Sequence, residues 1–393
     1  MHLPKPLWAL ALAGALAACA DAALDPAAPL ARPRADVVTD SARTYVAVAT
    51  GGAHSCALNA LGRAWCWGDN RRGQLGDSTI ISRALPVAVR APASVRFVSI
   101  TAGASHTCAL DGGNRVWCWG DNTHGQVLGI TPPYVTAPRS VVTGMVQVVA
   151  GGRHACAIRG STAHIFCWGA NEWGQATTFF SPDRRSPFQL PLGPGWVGVG
   201  LGAAHTCAVL QQVECWGNNT DGQVAGPFAP DTVLDTPMPT PLTPMLAVDG
   251  GDRHSCALHG VSLTAGEAVC WGEWDGDPAT PPTEAEELSG APVLFTRLRA
   301  GGGHTCALGE DGGVYCWGAG GAGQLGTGGW TSAPAPLAPV TSGAPFRAVD
   351  AGGRHTCAVT AAAGVACWGA HDFGQLGDGS GTASAVPVAV LLP

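Results

Sequence analysis

Charge is scarce in this chain of 393 residues: only 12% are Asp, Glu, Lys or Arg, and Lys5 is the single lysine. The formal net charge is −7, and it nears −8 once the N-terminal segment carrying Lys5 is set aside. The arginines are scattered, and the adjacent ones, Arg71-Arg72 and Arg184-Arg185, are only pairs. A phosphate-tracking surface needs a basic stripe, so nucleic acid is excluded as a partner. Enzyme signatures are missing as well. No Gly-x-Ser-x-Gly elbow, His-Glu-x-x-His, phosphate loop or dinucleotide fingerprint between strand and helix occurs, which leaves no recognised catalytic class and no cofactor to expect. Long amphipathic helical patterns are absent too, and the longest apolar run near the start, Leu7 to Ala18, is too short to cross a bilayer as a helix.

That run has the length of a signal-peptide core, preceded by Lys5. It ends in Leu16-Ala17-Ala18-Cys19, which resembles the lipobox of bacterial lipoproteins, where the cysteine becomes lipidated. The reading is therefore a signal peptide over 1–18 and a lipidated, disordered tether over 19–44, poor in large apolar residues. The expected location is the bacterial cell envelope, at the outer membrane or cell surface, with contact to the membrane only through the lipid anchor.

Glycine and proline are abundant, at 56 and 30 residues, which suits short strands and tight turns. Between 45 and 393 one phrase recurs seven times: a Gly-rich lead, His-x-Cys-Ala, a hairpin-sized stretch and Cys-Trp-Gly. Its histidines are His54, His106, His154, His205, His254, His304 and His355, spaced 48 to 52 residues apart. A period of that length means stacked or ring-closed units. The repeats begin near 45, 97, 145, 196, 245, 295 and 346. In the third, Met145 to Ala150 is β-branched and apolar, His154 to Ile158 alternates, and His164 to Trp168 brings aromatics and a second cysteine. Pro-Val phrases such as Pro86-Val87 and Pro387-Val388 suggest a fourth strand. Mostly four-stranded units of this period predict an all-β fold, a seven-bladed β-propeller.

After Trp-Gly most repeats carry a loop such as Asp69-Asn70-Arg71-Arg72-Gly73-Gln74-Leu75-Gly76, where Gly suits positive φ and Gln suits hydrogen bonds to an adjoining loop. Together the Gly-Gly-x-His-x-Cys-Ala-Leu, Cys-Trp-Gly and Asn-x-x-Gly-Gln-Leu-Gly phrases resemble the regulator of chromosome condensation repeat family over Tyr45 to Pro393. The resemblance implies a seven-bladed propeller. It also brings the family's guanine-nucleotide exchange and chromatin binding, which export and acidity here oppose. A secreted bacterial β-lactamase inhibitor with a similar propeller offers enzyme inhibition as an alternative, and a hydrolase or lyase in the propeller mouth is a further one.

Each repeat holds two cysteines: Cys56 and Cys66, Cys108 and Cys118, Cys156 and Cys167, Cys207 and Cys215, Cys256 and Cys270, Cys306 and Cys316, Cys357 and Cys367. They face each other across a hairpin, where a separation of about 4.5–5.5 Å permits a disulfide in an oxidising compartment. The competing reading is zinc held by the two cysteines and the nearby histidine of each repeat. The repeated His and Trp residues read as scaffold, since an active site breaks symmetry.

Function is expected where the copies differ. Trp173, Phe179 and Phe180 lie in or beside a basic stretch of the third repeat; Trp196, Trp274 and Trp330 fall outside the repeated Trp positions. The fifth repeat lacks Gly-Gln and carries an acidic excursion, Glu273 to Glu287, which reads as solvated. The six aromatics are the candidate contact surface for a protein or glycan of the envelope, recognised by a monomeric, non-enzymatic binding protein.

Overall fold

Each conserved phrase folds by its period of two: the His-x-Cys-Ala run and the Cys-Trp-Gly run become antiparallel strands whose alternate side chains point to opposite faces. The computed structural model describes residues 41–393 apart from 130, 180, 225–232, 240–243, 261, 263, 274–282, 288–292 and 336–337. The calls on Cys19, Phe180 and Trp274 therefore lie outside the described residues. In the first repeat Tyr45–Thr50, His54–Asn59, Ala64–Gly68 and Arg83–Ala88 pair in that order. The Pro-Val phrases do sit in fourth strands, Arg83–Ala88 and Ser384–Ala389.

The strands build an all-β propeller, but they pair into six sheets and not the seven separate ones expected. Five sheets have four strands; the sixth has seven, six in its main path and one paired at its side, because the fifth and sixth repeats are joined. The joint is a pairing of Gly266 with Phe295. It forms because the fifth repeat has the longest central hairpin, its cysteines standing 14 positions apart, so the hairpin's second strand starts early enough to reach the next repeat. Counted by hydrogen-bonded sheets, the propeller has six blades. Among the described residues of the sixth repeat, the fourth-strand segment pairs through the isolated bridges Tyr315 to Pro339 and Gly318 to Ala333 and forms no continuous strand. A second correction concerns the acidic excursion, because Thr283–Glu287 is the fourth strand of the fifth repeat, paired along Val269 and Cys270.

All seven cysteine pairs are disulfides, with Cα separations of 4.0–4.1 Å, closer than the expected range. Bonded to each other, the thiols offer no zinc ligands. The core lies between repeats. Trp67 of the first is fully buried among Val359, Val365 and Leu376 of the last, and the other six Cys-Trp-Gly tryptophans are at most 2% exposed.

What joins neighbours is a carbonyl. Trp119 Nε1 and Thr107 Oγ1 of the second repeat both donate to the backbone oxygen of Gln74 in the first, at 2.8 and 2.9 Å. The last junction repeats this, with Trp67 and Ser55 donating to Gln375 O, and so closes the ring. Gln was expected to bond an adjoining loop through its side chain. Instead Gln74 Oε1 accepts from Arg72 N within its own loop, where Gly73 takes φ +80° and Asn70 Oδ1 accepts from Leu75 N. The side chain shapes the loop, and the shaped loop presents the carbonyl.

The hydroxyl also receives the preceding histidine: Nε2 of His54 lies 2.8 Å from Thr107 Oγ1, and Nε2 of His355 lies 2.8 Å from Ser55 Oγ. Because the hydroxyl proton is given to the Gln carbonyl, the histidine must carry its proton on Nε2. The third repeat breaks the chain by placing Ala155 at the hydroxyl position. His106 is then fully buried with neither ring nitrogen bonded. An unpaired buried polar group costs about 1–3 kcal/mol. Ala155→Thr should therefore raise stability by about 1 kcal/mol, read as a higher denaturant midpoint without reductant. Ala155→Ser should shift it the same way, and no rise in either variant would refute this account of the junction.

Candidate functional site

The first strands of the repeats line a central channel of about 590 Å³. Opposite the first cysteine of each repeat stands one position on these strands, occupied in turn by Ala49, Thr101, Val149, Gly200, Asp249, Arg299 and Asp350. The frame is repeated here but the chemistry is not. Asp350 Oδ2 accepts from the amide and hydroxyl of Thr50 at 2.6 and 2.9 Å, across the ring closure. Its other oxygen is 3.4 Å from Arg299 Nε. Asp249 Oδ2 accepts from Ala300 N at 3.2 Å, and Oδ1 from Gly250 N at 3.1 Å. Burial pushes the Asp249 carboxyl up to about 6, with Arg299 pulling it down and Asp350 pushing it further up. Burial likewise raises Asp350. Sequence inspection missed this cluster, although aligning the residue two before each Gly-rich turn would have found it.

On the rim, the third repeat's distinctive loop is ordered around an arginine. The Arg184 guanidinium lies 4.5 Å from the centre of Phe188 and 5.4 Å from Phe179, and the two rings meet edge-on at 85°. Phe179 is 39% exposed, and Trp173 beside it is half-buried. Next to this stack Arg153 reaches both Glu172 and His124, and His124 Nδ1 is 3.0 Å from Asp183. Two expected members of the contact surface do not join it. Trp196 is 4% exposed, packed with Ile158, Ile165 and Leu190, and its Nε1 donates to Gly193 O, so it is core. A large aromatic at a strand entrance is buried by the neighbouring hairpin, which spacing alone does not reveal. Trp330 is 51% exposed but belongs to the sixth repeat, against Gly323.

The family model described as the RCC1-like domain matches residues 14–338. The chain belongs to the RCC1-like domain family. It is 29% identical to the ultraviolet-B receptor UVR8 of Arabidopsis thaliana over 365 residues, covering 88% of this chain and 81% of the receptor. With the probable E3 ubiquitin-protein ligase HERC4 of Mus musculus it shares 33% identity over 150 residues, 37% of this chain and 14% of the ligase. Among solved structures, yeast RCC1 (Prp20) bound to Kap60 superposes with a TM-score of 0.72 at 20% identity, covering 92% of this chain and 90% of that one. Human WBSCR16 superposes at 0.70 with 21% identity, covering 79% and 85%. At those identities the structures establish the fold.

The seven repeated histidines form no site in this family member. All are fully buried, and burial holds them far below the usual imidazole value, at about 3 for five of them and about 4 for His106 and His254. Above about pH 6.5 histidines are neutral whether folded or unfolded, and they contribute no pH dependence. Between that pH and about 4 the unfolded chain takes up protons that the folded chain refuses, so stability falls as pH drops. The raised carboxyls of Asp249, Asp252 and Asp350 oppose this but are outnumbered. Urea midpoints without reductant should fall steeply from pH 7 to pH 5, by up to about 1.4 kcal/mol per pH unit for each histidine. A flat profile would refute the neutral buried assignment.

Proposed function

We propose that the chain is a non-enzymatic binding protein that recognises a protein partner through the rim loop of its third repeat. The supporting observation is the Phe179-Arg184-Phe188 stack beside the Arg153-Glu172 and His124-Asp183 pairs. Phe179 is exposed and Arg184 and Phe188 half-buried, and aromatics and arginine fixed on a rigid frame are the residue types that dominate binding energy at protein interfaces. The rest of the molecule supplies the frame: stapled hairpins and carbonyl-linked repeats leave the loop little freedom to lose on binding. Relatives support the same class of role. One is named a receptor, and the superposing yeast RCC1 was crystallised with the protein Kap60 bound.

The proposal places the protein outside the cytosol, exported and held by lipid on Cys19. The lipobox-like Leu16-Ala17-Ala18-Cys19 supports this, as does the cysteine count, since 15 cysteines leave Cys19 over when the paired ones are set aside. Disulfides in every repeat suit an oxidising compartment. Acidity opposes a histone partner, and export opposes a cytosolic GTPase.

Capture from the source organism's envelope extract, with the tagged full chain as bait, tests the surface. A Phe179→Ala, Arg184→Ala double variant should lose the partner by at least about tenfold in affinity, while Trp330→Ala should retain it. The reverse pattern would move the surface to the sixth repeat and sink this reading. For the anchor, Cys19→Ser should abolish incorporation of labelled fatty acid and release the protein from the membrane fraction. Label retained by that variant would refute the lipidation.

A further inference from the structure

The channel position opposite the first cysteine has one evident structural task, which is to bond the neighbouring inner strand. Thr101 performs it without charge, its Oγ1 accepting from Ala150 N at 3.2 Å. Asp249 performs it with a carboxylate, accepting from Ala300 N at the same distance. A carboxylate is not needed for that bond, and removing its charge from water is costly. Asp350, in the same position two repeats on, has an ion-pair partner in Arg299 and two donors on Thr50. Asp249 has two backbone amides and, among the described residues, no cation within 4 Å.

The surroundings divide the channel into two sectors. Arg299 of the sixth repeat and Asp350 of the seventh act on Asp249, and Arg297 and Asp252 line the same channel. These five charges sum to −1. The other sector is apolar: Ala47, Ala102 and Val149 are partly exposed along it, and Val48, Ile100, Val148 and Leu201 are buried behind them between repeats. A cavity of about 590 Å³ falls in the range that holds small ligands, and such sites pair apolar walls with a few placed polar groups. A metal ion is a poor match, because the described residues contain no group of three His, Cys, Asp or Glu side chains placed to hold one.

We propose that the channel binds an organic monocation, an ammonium or guanidinium on an aliphatic stem. The cation donates to Asp249, and the stem lies against the partly exposed apolar lining at Val149, Ala47 and Ala102. The group comes either from a free amine or from a Lys or Arg side chain of a polypeptide.

Titration calorimetry on the full disulfide-bonded chain tests this with hexylammonium, hexanol and hexanoate. Hexylammonium should bind one to one, with the neutral and anionic isosteres at least about tenfold weaker. Asp249→Thr keeps the acceptor for Ala300 N, as Thr101 does for Ala150, and should weaken hexylammonium by at least about tenfold. Equal binding of hexanol, absence of saturable hexylammonium binding, or an unchanged Asp249→Thr variant would each overturn the site. Should that variant fail to fold, selectivity among the three probes on the unaltered chain decides alone. Competition by an end-blocked peptide with a single lysine, at or below the concentration of hexylammonium, assigns the cation to a polypeptide. Failure of the peptide to compete assigns it to a free amine.

Discussion

One backbone carbonyl at each of six junctions carries this structure. The oxygen of a Gln such as Gln74 accepts from an indole N–H and a hydroxyl of the next repeat at once, and that hydroxyl in turn accepts from the histidine behind it. Every conserved residue of the repeat serves this contact. Gly73 and Asn70 fold the loop that presents the carbonyl, Gly76 leaves room over the Trp119 ring, and the disulfide holds the two strands that bring Trp and hydroxyl together. The arrangement pairs the indole, the hydroxyl and one histidine nitrogen at most junctions, while Nδ1 of each repeated histidine stays buried without a partner among the described residues.

The breaks in the pattern are informative for the same reason. Where Ala155 replaces a hydroxyl, His106 is stranded. Where the fifth repeat lacks its Gln, the indole of Trp317 has no partner among the described residues. At that same place the sheets of the fifth and sixth repeats merge through Gly266 and Phe295. Loss of the side-chain link thus coincides with a backbone link, and the ring stays continuous across the junction by different means.

Symmetry also separates frame from function. The repeated histidines read as scaffold in the sequence, and burial keeps them neutral and closed to solvent. Beyond the two altered junctions, the repeats differ in chemistry at the rim loop around Arg184 and at the channel position held by Asp249, Arg299 and Asp350. The channel side chains add a bond of their own between neighbouring inner strands, Asp249 to Ala300 and Asp350 to Thr50, apart from the carbonyl link.

The sequence by itself determined the family, the repeat boundaries, the strands and the disulfide pairing, because those follow from spacing along one hairpin and recur seven times. Cys56 and Cys66 must meet if their two strands pair at all. Only the tertiary structure decided how the strands are shared among sheets, since Gly266 meets Phe295 through hairpin length and ring geometry together. It alone separated buried Trp196 from exposed Trp330, two tryptophans that look alike out of place in the chain. And it alone brought Asp249, Arg299 and Asp350 to one channel. They stand about fifty residues apart, and no local period marks them as neighbours; closure of the ring does.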